Sequence, residues 1–325
     1  MRVFLTGATG FIGGEVARLL RERGDQVRVL VRDPTKAFRL ADLGCDLSPG
    51  DLSDENALRT AMHGCDVLVH CAAVYEVGVT SARAEQLVDA NVRGTERVLG
   101  AALAVGVRKA VYVSTVAVFG NTRGEVADET WTRPEGGGFT SVYERTKVQA
   151  HERATQIAAQ GLALVVVQPG VVYGPGDSSE LGGLFDRLLK GRLPLLPFPQ
   201  LGVTPVHRDD VAAGILLALD KGEAGESYVL AGEPTRMRDL MIELARVAGK
   251  RPPRGSLPTS VIKGMVPFSR LAGPLLGFPP NLRELLTSSD GVTFWARSDK
   301  AQRELGWVHR PLSEGLATVV AAART

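Results

Sequence analysis

From residue 1 to about residue 170, short β-branched runs alternate with longer stretches whose apolar residues recur at helical spacing. The runs at 2–6, 27–31, 67–71, 110–114 and 163–168 read as strands. Four of them contain near-continuous apolar segments (VFL, VLV, AVYV, ALVVV), the texture of strands covered on both faces. Between them, Phe11 to Arg23, Ala57 to Met62, Ala84 to Ala104 and Val142 to Gln160 carry the helical period. Strand and helix in alternation predict an α/β fold: a doubly wound parallel sheet joined by crossover helices.

After Pro169 the texture changes. Gly- and Pro-rich loops at 174–183 and 194–205 surround a short helix at 183–190, and a helix at 210–220 and a strand at 227–230 are expected to return to the sheet. The domain reading is therefore residues 1–170 as the sheet domain, rejoined by 204–232, with 171–203 and 233–325 as a smaller C-terminal substrate region. The apolar section 256–280 invites a membrane reading. Prolines at 258, 267, 274, 279 and 280 would break an interfacial helix there, which favours a pocket wall or lid.

The first strand runs into Gly7-Ala8-Thr9-Gly10-Phe11-Ile12-Gly13, a GxxGxxG loop that opens a helix. Without a Cβ in the way, backbone N–H groups and the helix dipole can approach a pyrophosphate. A strand before the loop and an amphipathic helix after it make this a dinucleotide site rather than a structural turn. The second strand ends in Val31-Arg32-Asp33-Pro34-Thr35-Lys36, where a carboxylate for the ribose 2′-hydroxyl of NAD is usual. Arg32 can hold a 2′-phosphate by two parallel bonds and Lys36 could add a second charge, so NADP(H) is expected. Asp33 could instead turn inward to a 2′-hydroxyl, which leaves NAD(H) open.

Composition narrows the partners. The 325 residues carry 38 basic and 36 acidic side chains, a net charge of +2, with no broad attraction for phosphate polymers, so no nucleic acid is expected. Three cysteines without CxxC spacing fit a reducing compartment and no structural metal. No signal peptide and no apolar run long enough to cross a bilayer is legible, so the chain reads as cytoplasmic.

Tyr143 and Lys147, four apart, share one helix face. An ammonium beside a phenol favours phenolate and draws the tyrosine toward a working general acid or base. About thirty residues upstream, a strand ends in Val113-Ser114-Thr115, at the carboxyl edge where open α/β sheets bind ligands. Together the glycine opening, the strand-end hydroxyls and the YxxxK resemble the extended short-chain dehydrogenase/reductase family, also called the NAD-dependent epimerase/dehydratase family, over nearly the whole chain.

The resemblance implies a Rossmann domain and a set of site residues. Gly50-Asp51-Leu52 resembles the adenine-contacting turn, His70-Cys71-Ala72-Ala73 the strand end beside the cofactor ribose, and Pro169 to Pro175, with Val172, the segment flanking the nicotinamide. Asn91 in Asn91-Val92-Arg93-Gly94-Thr95 matches the asparagine that supports the active site. By the family's spacing to the glycine, here Gly120, the resemblance implies Thr115 rather than Ser114 as the active hydroxyl. The implied tetrad is Thr115, Tyr143 and Lys147 supported by Asn91, with Tyr143 and Lys147 also touching the cofactor. Asp209 or Asp210 is expected as a helix N-cap.

Departures from the family pattern suggest the branch. Sugar-nucleotide members carry Asn where this chain has Val171, and an Arg for the diphosphate near Val203. The VRDPTK segment and the apolar 256–280 section resemble the dihydroflavonol-reductase-like branch. The expected activity is an NADP(H)-dependent oxidoreductase interconverting a carbonyl and a secondary alcohol on a small, partly apolar substrate. Two alternatives stand beside it: a nucleotide-sugar or sugar epimerase or dehydratase with tightly bound NAD(P), and a non-catalytic dinucleotide-sensing protein. Tyr75, Phe139, Tyr173, Phe185 and His207 could line the pocket, although isolated aromatics are usually packing. By analogy, helices near 84–104 and 142–160 would join a homodimer.

Overall fold

A computed structural model describes residues 1–134, 136, 138–268 and 279–324. Seven parallel strands form its central sheet: β1 (Arg2–Thr6), β2 (Gln26–Val31), β3 (Asp46–Pro49), β4 (Val67–His70), β5 (Lys109–Val113), β6 (Leu164–Pro169) and β7 (Ser227–Leu230). Their spatial order is β7-β6-β5-β4-β1-β2-β3, so the chain reverses direction across the sheet between β1 and β4. The carboxyl ends at such a reversal form a crevice, and this is where a doubly wound sheet binds its ligand.

Alternation along each strand sends side chains to opposite faces. Val3, Leu5, Val67, Val69, Val111 and Val113 meet the helices α1 (Phe11–Glu22) and α6 (Arg208–Lys221). Phe4, Leu68, Ala110 and Tyr112 point the other way, toward α2 (Glu55–Met62), α4 (Gly94–Val105) and α5 (Val142–Ala158). Between α2 and α4 lies α3 (Ser81–Val88), started by Thr80, whose hydroxyl accepts from the Arg83 N–H. A single π-helical turn, Asp89–Arg93, joins α3 to α4 and interrupts the stretch that the sequence reads as one helix.

Strand β3 is absent from the hydrophobic pattern because DLSP has no apolar run; it is an edge strand held by its register with β2. The N-cap of α6 differs from expectation. His207, not Asp209 or Asp210, takes it, with Nδ1 accepting from the Asp209 N–H at 3.2 Å. Asp210 is instead drawn to Arg310, whose Nη2 reaches Oδ1 at 2.7 Å, while its carbonyl accepts from the Trp307 indole at 2.8 Å. That clasp ties the C-terminal region back to the sheet.

A further buried cluster joins Tyr173, Phe185, Met237, Leu240, Leu244 and Leu316. Of the 256–280 section, a helix at Thr259–Met265 is described and 269–278 lie outside the described residues. Among the described residues, no helix is long and apolar enough to cross a membrane.

Candidate functional site

Backbone geometry in the glycine loop suits a diphosphate. Gly7 has φ +76°, and a Cβ on it would stand 2.6 Å from the Ala72 nitrogen, so the loop and the strand β4 exit are pressed together. A Cβ on Gly13 would lie 2.2 Å from the Gly7 carbonyl oxygen, which makes glycine obligatory for the tight entry into α1. Gly10 caps that helix without a side-chain bond, leaving the first-turn N–H groups and the positive end of the dipole for an anion. Thr9 is exposed, and Phe11 and Ile12 are half-buried at the same mouth. These residues fit the pyrophosphate of a dinucleotide.

At the end of β2, Arg32 is exposed, and among the described residues it enters no ion pair. Asp33 is occupied within its own turn. Its Oδ1 accepts from the Thr35 backbone at 3.0 Å and hydroxyl at 2.6 Å, and its Oδ2 lies 3.2 Å from Lys36 Nζ. Thr35 first, and Lys36 after it, hold the carboxyl below the usual aspartate range. Asp51 turns to the Ser53 N–H at 2.9 Å and feels Arg32 nearby. Leu52 packs under the same turn, with its Cδ1 beside Gly94. Ala72 borders the glycine loop, Ala73 is exposed, Pro169 is buried at the end of β6, and Val172 is half-buried beyond it.

Three of the four expected chemical residues converge beyond β5. Lys147 is 2 % exposed; its Nζ donates to the Val113 carbonyl at 3.0 Å and to the Tyr112 phenol at 3.2 Å. Burial lowers the ammonium's pKa, opposed by Tyr143 and Cys71. For Tyr143 burial is the largest influence and pushes the phenol up, while Lys147 and the Thr115 hydroxyl pull it back down. The ammonium thus acts in the direction expected from the spacing, and desolvation outweighs it. Thr115 also accepts from the Ala117 N–H at 3.2 Å, which starts the short turn Val116–Phe119.

Ser114 lies 3.1 Å from His151 Nδ1 and also meets the Tyr112 phenol, so it stands behind Lys147 rather than beside Tyr143. Asn91, in the π-turn, braces rather than touches the pair: Oδ1 accepts from the Val74 N–H at 2.7 Å, and Nδ2 donates to the Val74 carbonyl at 2.9 Å and to Thr146 at 3.0 Å. It therefore fixes the 74–75 loop against α5.

The expected lining aromatics divide. Tyr173, Phe185 and His207 are buried packing residues, Tyr173 standing edge-on to both others. Tyr75 is 54 % exposed with its ring edge-on to Tyr143, centroids 4.8 Å apart, so it walls the cleft over the phenol. Glu180 and Asp177 lie around its hydroxyl. Phe139 is exposed and stacks under Arg133.

Several residues of the site were not singled out in the sequence. Glu284 is buried and grips both sides of the cleft, accepting from the Val142 N–H at 2.7 Å and the Val79 N–H at 3.2 Å. Behind Lys147, Tyr112 neighbours Thr95, and His70 and Thr6 continue the row. No short motif announces these contacts; only the strand alternation places Thr6, His70 and Tyr112 on the same face.

Known proteins match this chain over nearly its whole length. The family model described as "NAD dependent epimerase/dehydratase family" matches residues 3–231. A putative dihydroflavonol 4-reductase of Synechocystis is 31 % identical, with 98 % of this chain and 93 % of that protein covered. A 4-hydroxy-2-methyl-3-oxo-4-farnesyl-3,4-dihydroquinoline-1-oxide ketoreductase of Stigmatella aurantiaca is 32 % identical over 95 % of this chain and 92 % of its own. The crystal structure of gox2253 is 34 % identical and superposes with a TM-score of 0.85, covering 99 % of this chain and 97 % of that one.

Proposed function

Because the chain belongs to the NAD dependent epimerase/dehydratase family, in its dihydroflavonol-reductase-like branch, and is an NAD(P)-dependent oxidoreductase of the CH–OH/C=O pair, we propose that it reduces a partly apolar ketone or aldehyde with NADPH through Thr115, Tyr143 and Lys147. The observation that carries this reading is the meeting of a buried ammonium, a phenol and a hydroxyl beside the glycine loop, at the crevice where the strand order reverses.

Each residue has a task in reduction. Thr115 and Tyr143 hold the carbonyl oxygen by hydrogen bonds, and Tyr143 passes it the phenolic proton. Lys147 stabilises the phenolate left behind, an interaction strengthened by its burial. When bound, the nicotinamide supplies the hydride. Asn91 and Glu284 keep the 74–79 segment and the start of α5 from drifting apart. Arg32 supports NADPH over NADH, since Asp33 is engaged with Thr35 and Lys36.

Charge around Tyr75 supports a substrate without a diphosphate. Glu180 and Asp177 would repel phosphate oxygens brought over Tyr143, whereas an apolar body with one carbonyl meets aromatic walls. A panel of ketones, aldehydes and UDP- and dTDP-sugars, read by loss of NADPH absorbance, tests the reading. Turnover of carbonyl compounds is expected, with kcat reduced about 10²–10⁴-fold in Tyr143→Phe. Isomerised sugar nucleotide without net NADPH change, or undiminished turnover by Tyr143→Phe, would overturn it.

A further inference from the structure

An ammonium has three N–H donors, and the fold takes two of those of Lys147. One goes to the Val113 carbonyl at 3.0 Å and one to the Tyr112 phenol at 3.2 Å, with Nζ also 5.0 Å from the centre of the Tyr112 ring. The direction of the third donor is then set by the other two. What holds Tyr112 therefore matters to the chemistry in front of it.

Strand register puts Tyr112 at the end of a row. Thr6 pairs with His70 across β1 and β4, and His70 with Tyr112 across β4 and β5, all three on the face that meets α4 and α5. His70 stacks on the Tyr112 ring at 5.6 Å. Its Nδ1 lies 2.6 Å from the Thr6 hydroxyl and its Nε2 lies 3.1 Å from that of Thr95. Thr95 also meets the Tyr112 phenol and donates its own proton to the Asn91 carbonyl at 2.7 Å.

A hydroxyl has one proton, and Thr95 gives its proton to Asn91, so toward His70 and Tyr112 it accepts. His70 is therefore the neutral tautomer protonated at Nε2, with Nδ1 accepting from Thr6. The Tyr112 phenol meets both Thr95 and Ser114, and with its proton on either of them a lone pair of its oxygen faces Lys147. Thr6, His70, Thr95 and Tyr112 are all buried, so water does not compete for these bonds. Thr6 immediately precedes Gly7, and the row consequently joins the glycine loop to the ammonium.

Resting on Tyr143 and Lys147 as the proton-handling pair, we propose that Tyr112, held by the Thr95–His70–Thr6 row, is a positioning residue that aims the remaining N–H of Lys147 at Tyr143.

The surroundings make this readable by titration. The groups facing Lys147 are Tyr143 and His151 on α5, Tyr112 on β5, and His70 and Cys71 at the end of β4. Burial holds His70 down to about 3 and His151 down to about 4, and pushes the Cys71 thiol up to about 12. Tyr143 itself is faced by Lys147, Thr115, Tyr112 and Tyr75. Removing the acceptor at Tyr112 disfavours the charged ammonium, weakens its support of phenolate, and so moves the Tyr143 titration upward.

The test is Tyr112→Phe, which keeps the ring and removes the oxygen. Tyrosinate absorbance, taken as the difference between each protein and its Tyr143→Phe counterpart, reads the Tyr143 titration without any substrate. We expect an upward shift of about one pH unit, the same shift in the alkaline-activated limb of alcohol oxidation, and a kcat about tenfold lower at unchanged NADPH affinity. Thr95→Val, which removes one of the two acceptors open to the Tyr112 proton, should move the titration in the same direction by less. An unshifted titration in Tyr112→Phe, or NADPH binding lost in proportion to kcat, overturns the positioning role. A parent protein that turns over no carbonyl compound while its titration shifts in Tyr112→Phe ends the reductase reading and leaves the positioning role standing.

Discussion

Replacing Arg32 by alanine separates the two cofactors. Its guanidinium is exposed at the end of β2, and the carboxylate beside it is committed to Thr35 and Lys36. Charge-assisted bonds from a guanidinium to a phosphate contribute about 1.5–3 kcal/mol, and screening at about 0.1 M salt draws an exposed pair toward the lower half of that range. About 2 kcal/mol corresponds to about thirtyfold in affinity. Lys36 is 84 % exposed and already paired with Asp33 at 3.2 Å, so Lys36→Ala should cost about twofold. Calorimetric titration at fixed salt should therefore show Arg32→Ala weakening NADPH about thirtyfold while NADH changes by less than about threefold. Asp33→Ala should leave NADH nearly untouched. Equal losses for both cofactors in Arg32→Ala, tighter NADH than NADPH binding by the parent, or a large NADH loss in Asp33→Ala would refute the reasoning.

Two further outcomes follow from packing and from burial of charge. Gly13→Ala places a Cβ 2.2 Å from the Gly7 oxygen, so the loop must open; a loss of about 1–3 kcal/mol in stability by denaturant titration, together with at least tenfold weaker dinucleotide binding, is expected. His70 and His151 are neutral in the fold, their pKa values lowered by burial from 6.5 to about 3 and about 4. The unfolded chain takes up a proton on each as pH falls through about 6.5 while the folded chain does not, so stability is full above that pH and declines below it. Each contributes a slope approaching about 1.4 kcal/mol per pH unit, and His151→Gln should flatten the decline measured between pH 7 and 5 by about one such slope.

The parts of the fold visible in the sequence are those set by local pattern. Apolar runs located β1, β2, β4, β5, β6 and β7 to within a residue or so, because strands covered on both faces are written almost wholly in aliphatic side chains. Strand β3 escaped because an edge strand exposes half its surface, and Asp46 and Pro49 resemble a turn. The expected cap at Asp209 or Asp210 failed for a chemical reason: His207 supplies an imidazole acceptor two to three residues earlier, and Asp210 has a stronger partner in Arg310.

Within the site, Tyr143 and Lys147 were legible because both sit on one helix and a spacing of four is a local fact. Thr6, His70, Thr95 and Tyr112 were not. They are 64, 25 and 17 residues apart along the chain, and only the order β5-β4-β1 sets three of them side by side. Glu284 was invisible likewise, since it reaches the start of α5 across 142 residues.

The π-turn at Asp89–Arg93 acts as a phase adjuster. An ordinary α-helix turns by about 100° per residue, so the one surplus residue of a wider coil resets the angular bearing of everything downstream. Here that offset lets Asn91 bond across to Val74 and Thr146 while Thr95, Val98 and Leu99 still look inward. Deleting a single residue from the turn would regularise the backbone and swing Thr95 away from His70. The irregular coil thus persists as a spacer, and a smoother helix would be a worse one.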